Sequence, residues 1–130
     1  MRRAWAALVG VLALTAGQAV AAAPGSVANP IVVRMKRGSD SLRLIGVLRQ
    51  NRDCCSYRFK ARAGQTLNWR VSGPAIRVTM TYPDRHIDGP GLPPAIPLPA
   101  DGAYVFRVSP NLMADGAYGR FVLRLKIPPR

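Results

Sequence analysis

The run Tyr57-Arg58-Phe59-Lys60-Ala61-Arg62-Ala63-Gly64-Gln65-Thr66-Leu67-Asn68-Trp69-Arg70-Val71-Ser72 decides the architecture. Tyr57, Phe59 and Ala61 alternate with Arg58, Lys60 and Arg62, and after Gly64-Gln65 the residues Leu67, Trp69 and Val71 alternate with Asn68, Arg70 and Ser72. A period of two puts an oily face and a wet face on an extended chain, which is the pattern of antiparallel strands covering a core on one side. Gly64-Gln65 supplies the reversal between them. The pattern spreads outward from this pair. Ile76, Val78, Met80 and Tyr82 alternate with Arg77, Thr79 and Thr81; Tyr104, Phe106 and Val108 flank Arg107; Phe121, Leu123, Leu125 and Ile127 flank Arg124 and Lys126. Earlier strands are expected over Ile31 to Lys36 and Leu42 to Leu48, with a short one at Ile96 and Leu98. Turn residues stand between the runs at Gly38 to Ser41, Gly73-Pro74, Asp101-Gly102 and Asp115-Gly116. Seven or eight short strands at this spacing predict an all-β chain, a single antiparallel β-sandwich of jelly-roll-like form.

The 130 residues include 19 Lys and Arg, one His, two Cys and six acids, all of them Asp, for a net charge of +13. Without Glu, carboxylate-pair catalysis is disfavoured, and one His with two adjacent Cys is too small a set for a His/Cys metal centre. No catalytic residue, metal or cofactor is expected. At 48% hydrophobic, the chain suits one core rather than disorder. Residues 1–21 read as a cleaved secretory signal peptide: Arg2 and Arg3, an apolar run from Ala4 to about Ala16, then Ala19-Val20-Ala21 as an A-x-A-like cleavage site. Residues 22–29 follow as a flexible lead-in, and 30–128 as the sandwich. No transmembrane segment is expected after cleavage, and the location implied is periplasmic or secreted.

Cleavage leaves 17 basic residues against six Asp, or +11. The plain reading is that arginines coat the solvent faces of the sheets. A binding reading takes the outward Arg58, Lys60, Arg62, Arg70 and Arg77 as a site for an anionic envelope polymer. Nucleic acid is disfavoured by export and because the strand parities send the aromatic residues inward, away from the arginines.

Between Pro83 and Pro99, six of seventeen residues are proline, so this stretch is expected as a long loop or an edge. It carries the only His, in Pro83-Asp84-Arg85-His86-Ile87-Asp88-Gly89. Loops on rigid sandwiches often bind partners, which makes Arg85, His86, Ile87 and Asp88 a candidate contact. A hydrolase would need His86 to meet a nucleophile such as Ser72 or Ser109 together with an Asp. Cys54 and Cys55 are adjacent. Continuing the parity of Tyr57 turns Cys55 inward as a buried thiol and Cys54 outward, where an intermolecular disulfide, and hence a Cys54-linked dimer, is open to it; a strained vicinal disulfide is the third possibility. The pentapeptide Ala-Asp-Gly-Ala-Tyr occurs at 100–104 and again at 114–118, and is expected to be one turn-into-strand solution used twice.

The order Val33-Arg34-Met35, Gly38-Ser39, Leu44-Ile45-Gly46, Tyr57 to Leu67, the strand ending in Tyr82-Pro83, Leu98-Pro99-Ala100-Asp101-Gly102-Ala103-Tyr104 and the terminal Tyr118 to Ile127 strand resembles small exported bacterial β-sandwiches of the pre-peptidase C-terminal type, including periplasmic inhibitors of goose-type lysozyme. The resemblance runs from about Ile31 to Ile127. It implies a sandwich fold, a non-catalytic binding role with a lysozyme as partner, and a loop that blocks the partner's cleft. The loop around Asp84 to Asp88 is the first candidate for that part.

Overall fold

The computed structural model describes residues 22–35 and 40–129; the expected signal peptide lies outside them. Among the described residues nine strands follow one another: β1 (Ile31–Val32), β2 (Ser41–Leu48), β3 (Ser56–Ala61), β4 (Thr66–Ser72), β5 (Ile76–Thr81), β6 (Ile87–Asp88), β7 (Ala95–Pro97), β8 (Gly102–Pro110) and β9 (Gly119–Lys126). They form two packed sheets, β1-β3-β8-β5-β6 and β2-β9-β4-β7. Every pairing is antiparallel except that of β1 with β3. This is the expected all-β sandwich. Among the described residues no helix is long and apolar enough to cross a membrane.

The alternation does what its period demands. Tyr57 and Phe59 of β3, Leu67 of β4, Val78 and Met80 of β5, Tyr104, Phe106 and Val108 of β8, and Phe121, Leu123 and Leu125 of β9 all point into one shared interior. Complete burial of a Leu or Phe side chain stabilises the fold by about 1.5–3 kcal/mol. Trp69 packs at the rim of this core, 5.4 Å from the Phe106 ring, with its indole N–H donating to Pro93 O at 2.7 Å. In β2 the inward position opposite Phe121 is Gly46, and a Cβ there would collide with the Phe121 ring and stand 3.1 Å from the Tyr57 hydroxyl. Glycine at that position lets the Phe121 ring of the neighbouring strand approach β2 closely.

The proline-rich segment holds an edge strand of each sheet, β6 on one and β7 on the other, and the connection between them crosses from sheet to sheet. Pro97 pairs only with Thr66 on one side, where its missing N–H costs no ladder bond. The two-residue β6 was not expected from the sequence. At the other end of the chain, β1 is shorter than the run from Ile31 to Lys36: pairing covers Ile31 and Val32, Val33 N–H adds one bond to Arg58 O, and Lys36 lies outside the described residues. Residues 22–29 make a turn fastened to the sandwich by Ser56 N–H donating to Gly25 O (2.8 Å) and Val27 N–H donating to Asp53 (3.1 Å).

Strand directions sort the connections into two ends. The stretches 49–55, 73–75 and 111–118 lie at one end; 62–65, 82–86 and 98–101 lie at the other.

Candidate functional site

The end that holds His86 is built from the close of β5. Tyr82 accepts a bond from Arg85 N–H (2.8 Å) and donates its own N–H to His86 O (2.9 Å). Pro83 sits where its fixed φ favours a β-turn, and Arg85, at φ 75°, completes the reversal into β6. The result is a three-residue knuckle rather than the open loop the proline content suggests.

Aromatic stacking ties the knuckle to the core. The His86 ring lies parallel to Tyr82 at 4.0 Å, Tyr82 meets Tyr104 edge-on at 5.6 Å, and Tyr104 stacks on Phe59 at 5.6 Å. This ladder runs from a half-exposed imidazole to completely buried rings, and such pairs add about 0.5–1.5 kcal/mol each beyond their area. Two carboxylates flank the imidazole. Asp84 accepts from His86 N–H at 3.1 Å and lies 2.5 Å from its Nδ1, while Asp88 lies 3.9 Å from Nε2. The His86 backbone N–H, followed by its side chain, holds the Asp84 carboxyl below the usual carboxylate range. Burial pushes the Tyr82 hydroxyl up to about 12, helped by its bond to Asp88 and by the nearby charges.

His86 is thus engaged by carboxylates and a ring face, and the two serines named for a hydrolase lie elsewhere. Ser72 closes β4 opposite Val122, and Ser109 pairs with Arg77 near the close of β8, both toward the opposite end of the sandwich. The expectation that either could meet His86 is corrected by strand direction. Arg85, His86, Ile87 and Asp88 are consecutive and all exposed, Ile87 to 64%. Among the described residues no group of three or more His, Cys, Asp or Glu side chains is placed to hold a metal ion.

The five cations named from the sequence do not share a surface. Arg58, Lys60 and Arg77 project from the outer face of the five-stranded sheet, Arg62 belongs to the turn before β4, and Arg70 lies on the outer face of the other sheet. There Arg70 stands beside Arg124, which in turn stands beside Arg43. Sequence reading missed this grouping because only the pairing register brings those three positions together.

The two cysteines form a bond with each other, Cα to Cα 3.7 Å. This is the third of the possibilities read from the sequence; it corrects the first, a buried Cys55 thiol beside an exposed Cys54 thiol, and leaves no free cysteine for the second, a Cys54-linked dimer. The physical reason is local: β3 starts only at Ser56, and Cys55 has φ 74°, so the alternation of Tyr57 and Phe59 does not extend back to the pair. A second exposed surface also escaped the sequence reading. At the opposite end, Leu112 and Met113 of the β8–β9 connection are 70% and 89% exposed.

Solved structures with a similar fold include periplasmic inhibitors of g-type lysozyme. PliG of Salmonella Typhimurium aligns with a TM-score of 0.58 and 24% identity, covering 75% of this chain and 96% of its own. A PliG mutant of Escherichia coli gives 0.61 and 20%, covering 82% and 100%; PliG of Aeromonas hydrophila gives 0.60 and 21%, covering 81% and 97%. No family model and no curated protein matches the chain. The likeness extends over nearly the whole of each of those three domains. At these identities the likeness is one of fold; the pre-peptidase part of the resemblance rests on the sequence pattern alone.

Proposed function

We propose that this protein is an exported, periplasmic, non-catalytic binding module of the lysozyme-inhibitor type, with a g-type lysozyme as its partner. The observation that carries the reading is the likeness of fold to three PliG inhibitors across 96–100% of their lengths. The leader-like sequence at residues 1–21 agrees with it.

In this reading the knuckle formed by Arg85, His86, Ile87 and Asp88 is the contact. An interface anchor needs an apolar group presented rigidly and a polar surround. Ile87 is the projecting apolar group, and the Tyr82 stack and Asp84 bonds restrain the neighbouring imidazole. Asp84 and Asp88 also put two of the chain's six carboxylates at one place on a strongly basic protein, the local polarity that a cationic partner requires.

The test is titration of purified protein into g-type lysozyme acting on peptidoglycan. Saturable inhibition is expected. Ile87→Asp should weaken it at least tenfold, as loss of an anchor of about 2 kcal/mol would, whereas Met113→Asp at the far end should leave it unchanged. Absence of inhibition against any g-type lysozyme would reduce the likeness to fold alone. Equal losses from both substitutions would move the contact away from the knuckle.

A further inference from the structure

The outer face of the four-stranded sheet concentrates positive charge in a way the other sheet does not. Arg43 of β2, Arg124 of β9 and Arg70 of β4 are direct cross-strand neighbours. At about 4.8 Å between strands they line up within about 10 Å. Along β9 the same face adds Arg120 and Lys126, so the cations extend about 20 Å at 3.4 Å per residue. All five are exposed. Ile45 and Val47, also exposed, project from β2 among them, with Val47 beside Arg120.

Like charges set directly opposite on neighbouring strands destabilise a sheet, and a face that merely solubilises mixes both signs. The ion pairs found among the described residues lie elsewhere: Asp53 with Arg107, and Asp84 and Asp88 with His86. On the five-stranded sheet, by contrast, each outward cation faces a neutral residue, Arg58 opposite Val105, Lys60 opposite Ala103, Arg77 opposite Ser109 and Arg107 opposite Thr79. One face spaces its charge and the other stacks it.

We infer that the outer face of the four-stranded sheet docks on an anionic phospholipid bilayer. The patch is two-dimensional, with a width across three strands and a length along β9, which matches a planar array of phosphates better than a single polymer thread. Its exposed aliphatic side chains suit the boundary between headgroups and acyl chains, where apolar groups gain from burial. Each Arg or Lys near an anionic membrane surface gains about 1 kcal/mol, so five together suffice for reversible attachment. This inference stands apart from the proposed lysozyme contact, which uses another part of the molecule.

Co-sedimentation tests it, with vesicles of phosphatidylcholine alone or mixed with phosphatidylglycerol. The protein should sediment only with the anionic vesicles, and release as salt rises. The triple variant Arg43→Gln, Arg70→Gln, Arg124→Gln should lower the partition coefficient on the order of a hundredfold. The matched variant Arg58→Gln, Lys60→Gln, Arg77→Gln on the opposite sheet should lower it only a few-fold. Because the first variant removes aligned like charges, its urea midpoint should hold or rise, so lost binding cannot be lost folding. Ile45→Ser with Val47→Ser should weaken vesicle binding while leaving any binding to soluble polyphosphate untouched. Failure to sediment, equal losses from the two charge variants, or binding to polyphosphate without binding to vesicles would each overturn the inference.

Discussion

Ala-Asp-Gly-Ala-Tyr stands at both ends of this sandwich and folds in two ways. In the first copy Gly102 opens β8 and Tyr104 is completely buried, its hydroxyl donating to Ala100 O at 2.6 Å and accepting from Ala100 N–H at 3.2 Å. In the second, Ala117 turns inward, Tyr118 stays 42% exposed, and the strand waits until Gly119. The expectation of one solution used twice is therefore wrong. The residues that follow make the difference: Val-Phe-Arg-Val continues the first copy and Gly-Arg-Phe-Val the second. In the first, Phe106 and Val108 share the parity of Tyr104; in the second, Phe121 and Leu123 share the parity of Ala117 and leave Tyr118 on the outside. Burial over a whole strand outweighs identity over five residues.

Truncating the two tyrosines should separate the copies most widely. Tyr104→Ala removes a ring that touches Phe59 and Tyr82, and should cost about 3–5 kcal/mol in urea unfolding, the range for losing a large aromatic core side chain. Tyr118→Ala should stay within about 0.5 kcal/mol, as surface changes do. Similar losses at both positions would mean that the local sequence, and not the strand behind it, sets the outcome.

Next in size is the aspartate pair. Asp101 accepts a bond from Ala63 N–H at 2.7 Å across the two turns of its end, so Asp101→Ala should cost about 1 kcal/mol, the usual net worth of one hydrogen bond. The second copy is anchored through its backbone instead, Ala75 N–H donating to Gly116 O at 2.9 Å. Asp115→Ala should therefore change stability by less than about 0.5 kcal/mol, and the difference between the two midpoints is the measurement.

These contrasts mark where sequence reading reaches. The inward sets of β3, β5, β8 and β9 were legible because a period of two over five or more residues leaves one arrangement that hides the oily side chains. Pro97 at an edge was legible because proline lacks the donor a central strand requires. The knuckle was not legible: the proline content from Pro83 to Pro99 suggested a long loop or an edge, a two-residue β6 has no periodicity to detect, and the stacking of His86 on Tyr82 goes with that pairing. The bond between Cys54 and Cys55 was misjudged because strand parity was carried past the first residue of β3, where the backbone leaves the extended region. The stack of Arg43, Arg124 and Arg70 was illegible in principle, since residues 27 or more apart in the chain meet only through register.

The effect confined to alkali separates the two ends once more. Tyr82, at the knuckle end, has its hydroxyl raised from 10.0 to about 12, with burial the largest cause; Tyr57, which points into the core beside Gly46, is raised as well, again by burial. A raised phenol keeps its proton longer in the folded chain than in the unfolded one. The stabilisation is therefore complete below pH 10.0 and is lost as pH climbs toward about 12, because the unfolded chain ionises first and gains from doing so. Urea midpoints measured from neutrality into alkali should fall across that window. Tyr82→Phe should make the fall shallower without abolishing it, since Tyr57 remains, and the double change with Tyr57→Phe should flatten it further. Asp84, lowered chiefly by the His86 N–H, acts on the opposite limb, where its contribution is lost as pH drops below the usual carboxylate range, so neither phenylalanine should alter acid unfolding. An alkaline limb unchanged by Tyr82→Phe would show that the ring beneath His86 is not held out of water, and would remove the rigid mounting on which the knuckle's role as a contact depends.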